Sequence, residues 1–158
     1  MHYELYMRAA LSEAAAAAVR GERVDAAVAV QDDAMVASAS ESVRANGDPT
    51  AHAVVLTLRE AAKRLGRTSL SGLTVYAVRE PCAMCVGALI ESDVDGLVFA
   101  LADPVAGAAG SAIQLARSGL RGRRLNVVSG ILEDDAAELV GVAPRPTAAP
   151  TGPVAPPA

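Results

Sequence analysis

The sequence predicts a three-layer α/β/α domain built around a mixed sheet. β-prone runs alternate with segments of helical periodicity, and two early β-prone runs lie close enough to form a hairpin. The length, 158 residues with 52% hydrophobic content, suits one core and is short for two. Most of the apolar content is Ala and Val, so the core must be assembled from small and branched aliphatic side chains.

Taken in order, Tyr3 to Arg20 is Ala-rich with apolar residues at helical spacing, and Gly21 follows where a C-cap often falls. Val24 to Val30 and Met35 to Ser40 read as short strands, joined by Gln31-Asp32-Asp33-Ala34 as a hairpin. Asn46-Gly47-Asp48-Pro49-Thr50 is turn chemistry, and Thr50 is expected to cap a helix that carries His52 in its first turn and runs to about Leu65. Leu73 to Val78 is a buried strand by composition. Glu80-Pro81 interrupts it before a helix from about Cys82 to Ser92, with Pro81 suited to the first turn. Gly96 to Leu101 is a strand, Ser111 to Arg117 a short helix, Leu125 to Val128 a strand and Glu133 to Val140 a final helix. From Ala143 onward the chain is Pro, Ala, Thr and Gly, so residues 1–142 are expected to form the domain and 143–158 a disordered tail.

Composition narrows the function classes. With one Phe, three Tyr and no Trp, few rings are available to stack on bases, and a net charge of −4 argues against a broad nucleic-acid-binding surface. The dense basic cluster Arg117, Arg121, Arg123 and Arg124 reads as a solvated loop before an RNA-phosphate contact. The Ala run of the first twenty residues carries Glu4, Arg8, Glu13 and Arg20, which break any apolar leader. No stretch is long and apolar enough to span a bilayer, and the two cysteines form a single C-x-x-C pair, so a cytoplasmic location without a membrane partner is expected.

The chemistry concentrates in three residues. His52 stands in H-A-V, and Cys82 and Cys85 stand in P-C-A-M-C. One imidazole and two thiolates suit tetrahedral Zn2+ with a fourth position open. Both cysteines fall at a helix start, where the helix dipole favours thiolate over thiol. The alternatives are a capping or core histidine beside two small buried hydrophobes, or a thioredoxin-type redox pair. The Pro81-Cys82 junction and the paired helix bearing His52 favour zinc over both.

With these residues the chain resembles the cytidine deaminase-like zinc deaminases, and within them is most similar to the bacterial tRNA adenosine deaminases. The resemblance rests on Asp48-Pro49-Thr50-Ala51-His52-Ala53, on Glu80 to Ala88, on Ala102 to Ser111 and on Gly130-Ile131-Leu132-Glu133, and runs from about Met1 to Val140. It implies a five-stranded sheet flanked by helices, one zinc per subunit, a dimer, and hydrolytic removal of an exocyclic amine as ammonia. It further implies a substrate pocket at Asp25, Ala26, Ala27, Glu41, Ala53 and Pro81.

Departures from the family pattern fall where the chemistry lives. The signature is H-x-E followed by P-C-x-x-C, with the Glu moving protons between the attacking water and the base, and here that Glu is Val54. Glu41 lies where the family has an Asn that contacts substrate, and Val24-Asp25-Ala26-Ala27 replaces P-V-G-A. The family's L-N-H is not recognisable among Leu120-Arg121-Gly122-Arg123, and the proline-rich end replaces an aromatic, basic C-terminal helix. The expectation is a divergent nucleoside or tRNA adenosine deaminase-family zinc protein with hydrolysis impaired or absent at Val54. It would act as a homodimer or as the non-catalytic partner of an active homologue, as in the inactive subunit of the eukaryotic heterodimeric enzyme. Its ligand would be a nucleoside, a nucleobase or tRNA. The alternative is an active deaminase of a small nucleobase or nucleoside in which Glu41 is the relocated acid/base; otherwise Glu41 is a solvated residue at a strand end. Glu80 is expected to be structural.

Overall fold

The computed structural model describes residues 2–141, and the expected tail at 143–158 lies outside the described residues. Five strands form one sheet, β1 (Ala26–Gln31), β2 (Ala34–Ser40), β3 (Thr74–Arg79), β4 (Gly96–Leu101) and β5 (Asn126–Ser129), in the order β2-β1-β3-β4-β5. β1 runs antiparallel to β2 and β3, whereas β3, β4 and β5 are parallel, so the sheet is mixed. The helices are α1 (Tyr3–Val19), α2 (Val43–Asn46), α3 (Ala53–Leu65), α4 (Ala83–Glu91) and α5 (Glu133–Val140).

Alternation along the strands sorts the core into two layers. Ala26, Val28 and Val30 of β1 face α1 and α5, where Tyr6, Met7, Ala10, Ala14, Ala136 and Ala137 cover them. Ala27 and Ala29 face the other way, into a cluster that holds Val54 and Leu58 of α3 and Cys85, Val86 and Leu89 of α4. Ala10, Ala14 and Ala17 are fully buried along one side of α1, which explains the alanine content: a small side chain at each contact lets the helix axis approach the sheet closely. The β1–β2 hairpin turns on Asp32 and Asp33, both at positive φ, a conformation Asp tolerates and a two-residue hairpin requires. The Tyr6 hydroxyl donates to the Asp33 carbonyl at 2.6 Å and ties the turn to α1.

Several expectations are corrected. No helix forms over Ser111–Arg117. The N–H groups of Leu115 and Ala116, which a helix would bond to Ser111 and Ala112, go to the Ala108 carbonyl; Ala112 and Ile113 donate to the Gly107 carbonyl, Ser111 to the Glu80 carboxylate, and Ala109 and Gln114 form a bridge. The only helical turn nearby is a 3-10 turn at Leu120–Gly122. Thr50 does not cap α3, because its hydroxyl donates to Asp48 at 2.7 Å and the helix begins two residues later than that cap requires, with His52 as the N-cap. Pro81 likewise precedes α4, whose N-cap is Cys82. The helix α2 was not expected; the buried Glu22 carboxylate builds it by accepting the Arg44 and Ala45 N–H groups at 3.0 and 2.7 Å, two of the donors a helix start leaves open.

The loop after β4 is organised around one buried carboxylate. Glu80 accepts hydrogen bonds from the N–H groups of Asp103, Ala109 and Ser111 and from the Ser111 hydroxyl. Gly107 sits against it so closely that a Cβ would overlap both the carboxylate and the Asp103 carbonyl. Gly107→Ala is therefore expected to destabilise the fold by about 1–3 kcal/mol. Urea denaturation checks this, and an unchanged midpoint would contradict it.

Candidate metal centre

Two helix starts bring the three metal-binding side chains together. His52 and Cys82 are the N-cap residues of α3 and α4, each with extended backbone and neither using its side chain to cap its own helix. Cys85, one turn further along α4, lies on the same side of that helix as Cys82. The result is a cluster in which His52 Nδ1 stands 3.6 Å from Cys82 Sγ and 3.5 Å from Cys85 Sγ. All three ligand atoms lie within 4.8 Å of one another.

That spacing fits zinc. Bond lengths of about 2.0–2.1 Å to nitrogen and 2.3 Å to sulfur, at a tetrahedral angle, put the two donor atoms about 3.6 Å apart. The donor set of one imidazole and two thiolates is also the right chemistry for this metal. Cys85 is buried and Cys82 half-buried, which leaves the centre approachable from the Cys82 side. A hydrogen bond from the Cys85 thiol holds Cys82 down at about 5, and the same bond together with burial pushes Cys85 up. The metal-free pair therefore keeps one proton between two sulfurs, and a cation would displace it.

Asp25 and Glu41 lie near this cluster, close enough for the His52 charge to act on Glu41 and for both acids to act on Cys85. The β1–β2 register pairs Ala26 with Ser40, and one step beyond it Asp25 faces Glu41, with the Glu41 N–H donating to the Asp25 carbonyl at 3.0 Å. By the same alternation both side chains fall on the face that carries α3 and α4. Asp25 Oδ1 accepts the N–H groups of Ala26 and Arg79, at the end of β3 from which the chain runs to Cys82. Glu41 is 2% exposed, and its Oε2 is buried with no hydrogen-bond partner, so the expectation of a solvated residue does not hold. Burial raises the Glu41 carboxyl, while the charges of His52 and Arg23 and the Ala53 N–H pull it down. Asp25 is pushed up to about 7, chiefly by burial, with Glu41 adding to the rise and Arg23 and Arg79 opposing it.

The other expected residues divide. Ala53 and Val54 are buried in the α3–α4 cluster, Val54 as an apolar side chain packed against its neighbours and 2% exposed. Ala27 is on this face, and its carbonyl accepts the Thr57 hydroxyl. Pro81 is buried, its carbonyl taking the Ala108 N–H at 2.8 Å. Ala26 points away, into the layer under α1. The arginine cluster is partly committed to acids: Arg121 pairs with Glu91 at 3.5 Å, and Arg123 with Asp93 and Asp95 at 3.7 Å. No helix among the described residues is long and apolar enough to cross a membrane.

Sequence alone named Asp25 and Glu41 as pocket positions but gave no sign that they pair across two strands. The turn at 32–33 alone would set Asp25 opposite Ser40; a bulge at Ala29/Val30 shifts the register by one residue and brings Glu41 opposite Asp25 instead.

Comparison with known proteins agrees with this geometry. The cytidine and deoxycytidylate deaminase zinc-binding region matches residues 1–101. A tRNA-specific adenosine deaminase of Bacillus subtilis is 38% identical over 132 residues, which covers 84% of this chain and 82% of the relative. That of Haemophilus influenzae is 35% identical over 136 residues, covering 85% and 79%. Among solved structures, one from work on A-to-I editing by tRNA:A34 deaminases superposes with a TM-score of 0.82 at 32% identity, covering 85% of this chain and 98% of the other. A guanine deaminase from Nitrosomonas europaea gives 0.76 at 27%, covering 87% and 82%.

Two outcomes follow from the site. Cys85→Ser is expected to lose stoichiometric zinc, and stripping the metal from the unaltered chain to lower Tm by roughly 5 °C or more, as elemental analysis and thermal denaturation would show. For Asp25, the folded state holds a proton more tightly than the unfolded chain, whose value is 3.8, so its contribution to stability is full below that pH and is lost as pH rises through about 7. Relative to Asp25→Asn, the parent should therefore lose about 1.4 kcal/mol between pH 6 and pH 8. Parallel stability curves for the two proteins would contradict this.

Proposed function

Because the chain belongs to the cytidine and deoxycytidylate deaminase zinc-binding family, and within it to the tRNA adenosine deaminase-like members, we propose that Val54 silences its hydrolysis and that it serves as a non-catalytic zinc subunit beside an active homologue. The observation that carries this reading is the side chain at position 54. It is a buried valine in the α3–α4 core, at the position where the family's motif supplies a carboxylate.

The reaction needs protons delivered to the ring and to the leaving amine. Bound zinc would supply Lewis acidity that makes water a nucleophile near neutral pH. His52, Cys82 and Cys85 would hold the metal, and the buried Ala53 and Pro81, adjacent in sequence to His52 and Cys82, would limit water beside it. Nothing at position 54 can then accept or return a proton. General acid–base catalysis contributes about 10²- to 10⁴-fold, roughly 3–5 kcal/mol, so its loss leaves slow chemistry at best. The zinc would still contribute folding free energy, which is a reason to keep its ligands in a subunit that hydrolyses nothing.

One observation favours a second reading. Glu41 is buried beside His52 with an unpartnered oxygen, the kind of carboxyl that can hold or give up a proton close to a reacting group. In that reading Glu41 is the relocated acid/base, and the substrate is a small nucleobase or nucleoside.

Ammonia release by zinc-loaded parent and Val54→Glu, on adenosine-containing anticodon stem-loop RNA, cytidine, adenosine and guanine, separates the two. Activity in the Glu variant alone, about 10²-fold or more above the parent, is the expected result. Activity in the parent that disappears in Glu41→Gln would replace the first reading with the second.

A further inference from the structure

The sheet edge beside the metal centre carries an arrangement that a zinc site does not need. Asp25 and Glu41 face each other across β1 and β2, on the face that carries the metal ligands, and both are buried, at 8% and 2% exposure. Like charges directly opposite in an antiparallel pair are unfavourable, and a buried acceptor without a donor is more so. Glu41 Oε2 has no partner at all. Both hydrogen bonds given to Asp25 end on Oδ1, from Ala26 and Arg79.

Nearby cations do not complete the pair. Arg79 directs its Nε to the Val24 carbonyl at 2.8 Å, and Arg23 reaches the Asp103 carboxylate at 3.8 Å. Glu22 faces the same region but is spent on the start of α2. The three metal-binding side chains bring two thiolates, whose charge balances a divalent ion, so a loaded centre would supply no surplus positive charge to Asp25 and Glu41. What the edge lacks is a set of N–H donors.

We propose that the pocket at the metal centre binds a planar nitrogenous ligand with a cationic amidinium- or guanidinium-type edge, and that Asp25 and Glu41 are the residues that read it. Two adjacent N–H donors match a carboxylate in a bidentate pair, and a planar delocalised cation is less costly to dehydrate than a compact ammonium. A ring that offers an acceptor at the same place meets a lone pair and is rejected, since a site built to pair donors discriminates steeply against a ligand that lacks them. The inference rests on the reading of this pocket as the ligand pocket of a zinc deaminase-family domain, and it holds whether or not hydrolysis follows.

The test is isothermal titration of the zinc-loaded chain with benzamidine and with benzamide, which share a skeleton and differ in the donor edge. Benzamidine is expected to bind at least tenfold more tightly. Glu41→Gln and the double change Asp25→Asn with Glu41→Gln should abolish that preference, with zinc content and Tm confirming that both variants fold and hold metal. Equal affinities, no binding of either probe, or a preference that survives the double change would overturn the inference. A chain that fails to take up zinc at His52, Cys82 and Cys85 would instead overturn the underlying reading, so the two failures are told apart by metal analysis of the same samples.

Discussion

The convergence of two helix starts at one end of the sheet is the constraint on which the site depends. α3 and α4 each begin with a metal ligand at the N-cap, so the positions of His52 and Cys82 are tied to how the two helices pack on the sheet. Helix starts leave backbone N–H groups unpaired and carry partial positive charge, which stabilises the thiolates that a metal requires. Ordinary capping residues would satisfy the helices more completely. Placing His and Cys there gives up capping hydrogen bonds in exchange for a metal bond, and the fold then gains from the ion what the caps do not provide.

Around this centre two groups of buried acids do opposite things. Glu80 and Glu22 are saturated by backbone N–H donors, and each fixes a segment that would otherwise lack regular structure: Glu80 the loop between Asp103 and Ser111, Glu22 the short helix before α3. Glu41 is not saturated, and it faces Asp25 just beyond the paired ends of β1 and β2. A buried carboxylate with its hydrogen bonds made is architecture, whereas one left open holds capacity for a ligand or a proton.

Much of the fold was legible because its signals are local. The 32–33 turn, the Ala-rich α1, the apolar β4 and the Pro81 break each follow from residues adjacent in sequence. The false helix at Ser111–Arg117 failed because the N–H groups of Leu115 and Ala116, which a helix would have bonded to Ser111 and Ala112, go to the Ala108 carbonyl, in a loop held by Glu80 some thirty residues away. Thr50 looked like a cap by residue type, but Asp48 two positions earlier holds its hydroxyl. Glu41 read as solvated because a glutamate at a strand end is ordinarily so; it is buried near the start of α3, where His52 and Ala53 act on it, which no window along the chain reveals. The metal ligands were legible for a different reason: the sequence has two Cys, spaced as C-x-x-C, and two His, of which His52 alone sits at a helix start upstream of that pair.

X-ray absorption at the zinc edge of the purified, metal-loaded chain addresses the central claim most directly. One zinc per chain, with two sulfur neighbours at about 2.3 Å and the remaining light-atom neighbours near 2.0 Å, is the expected result. A shell without sulfur, or a single sulfur neighbour, would contradict the assignment of His52, Cys82 and Cys85 as the centre on which this protein is organised.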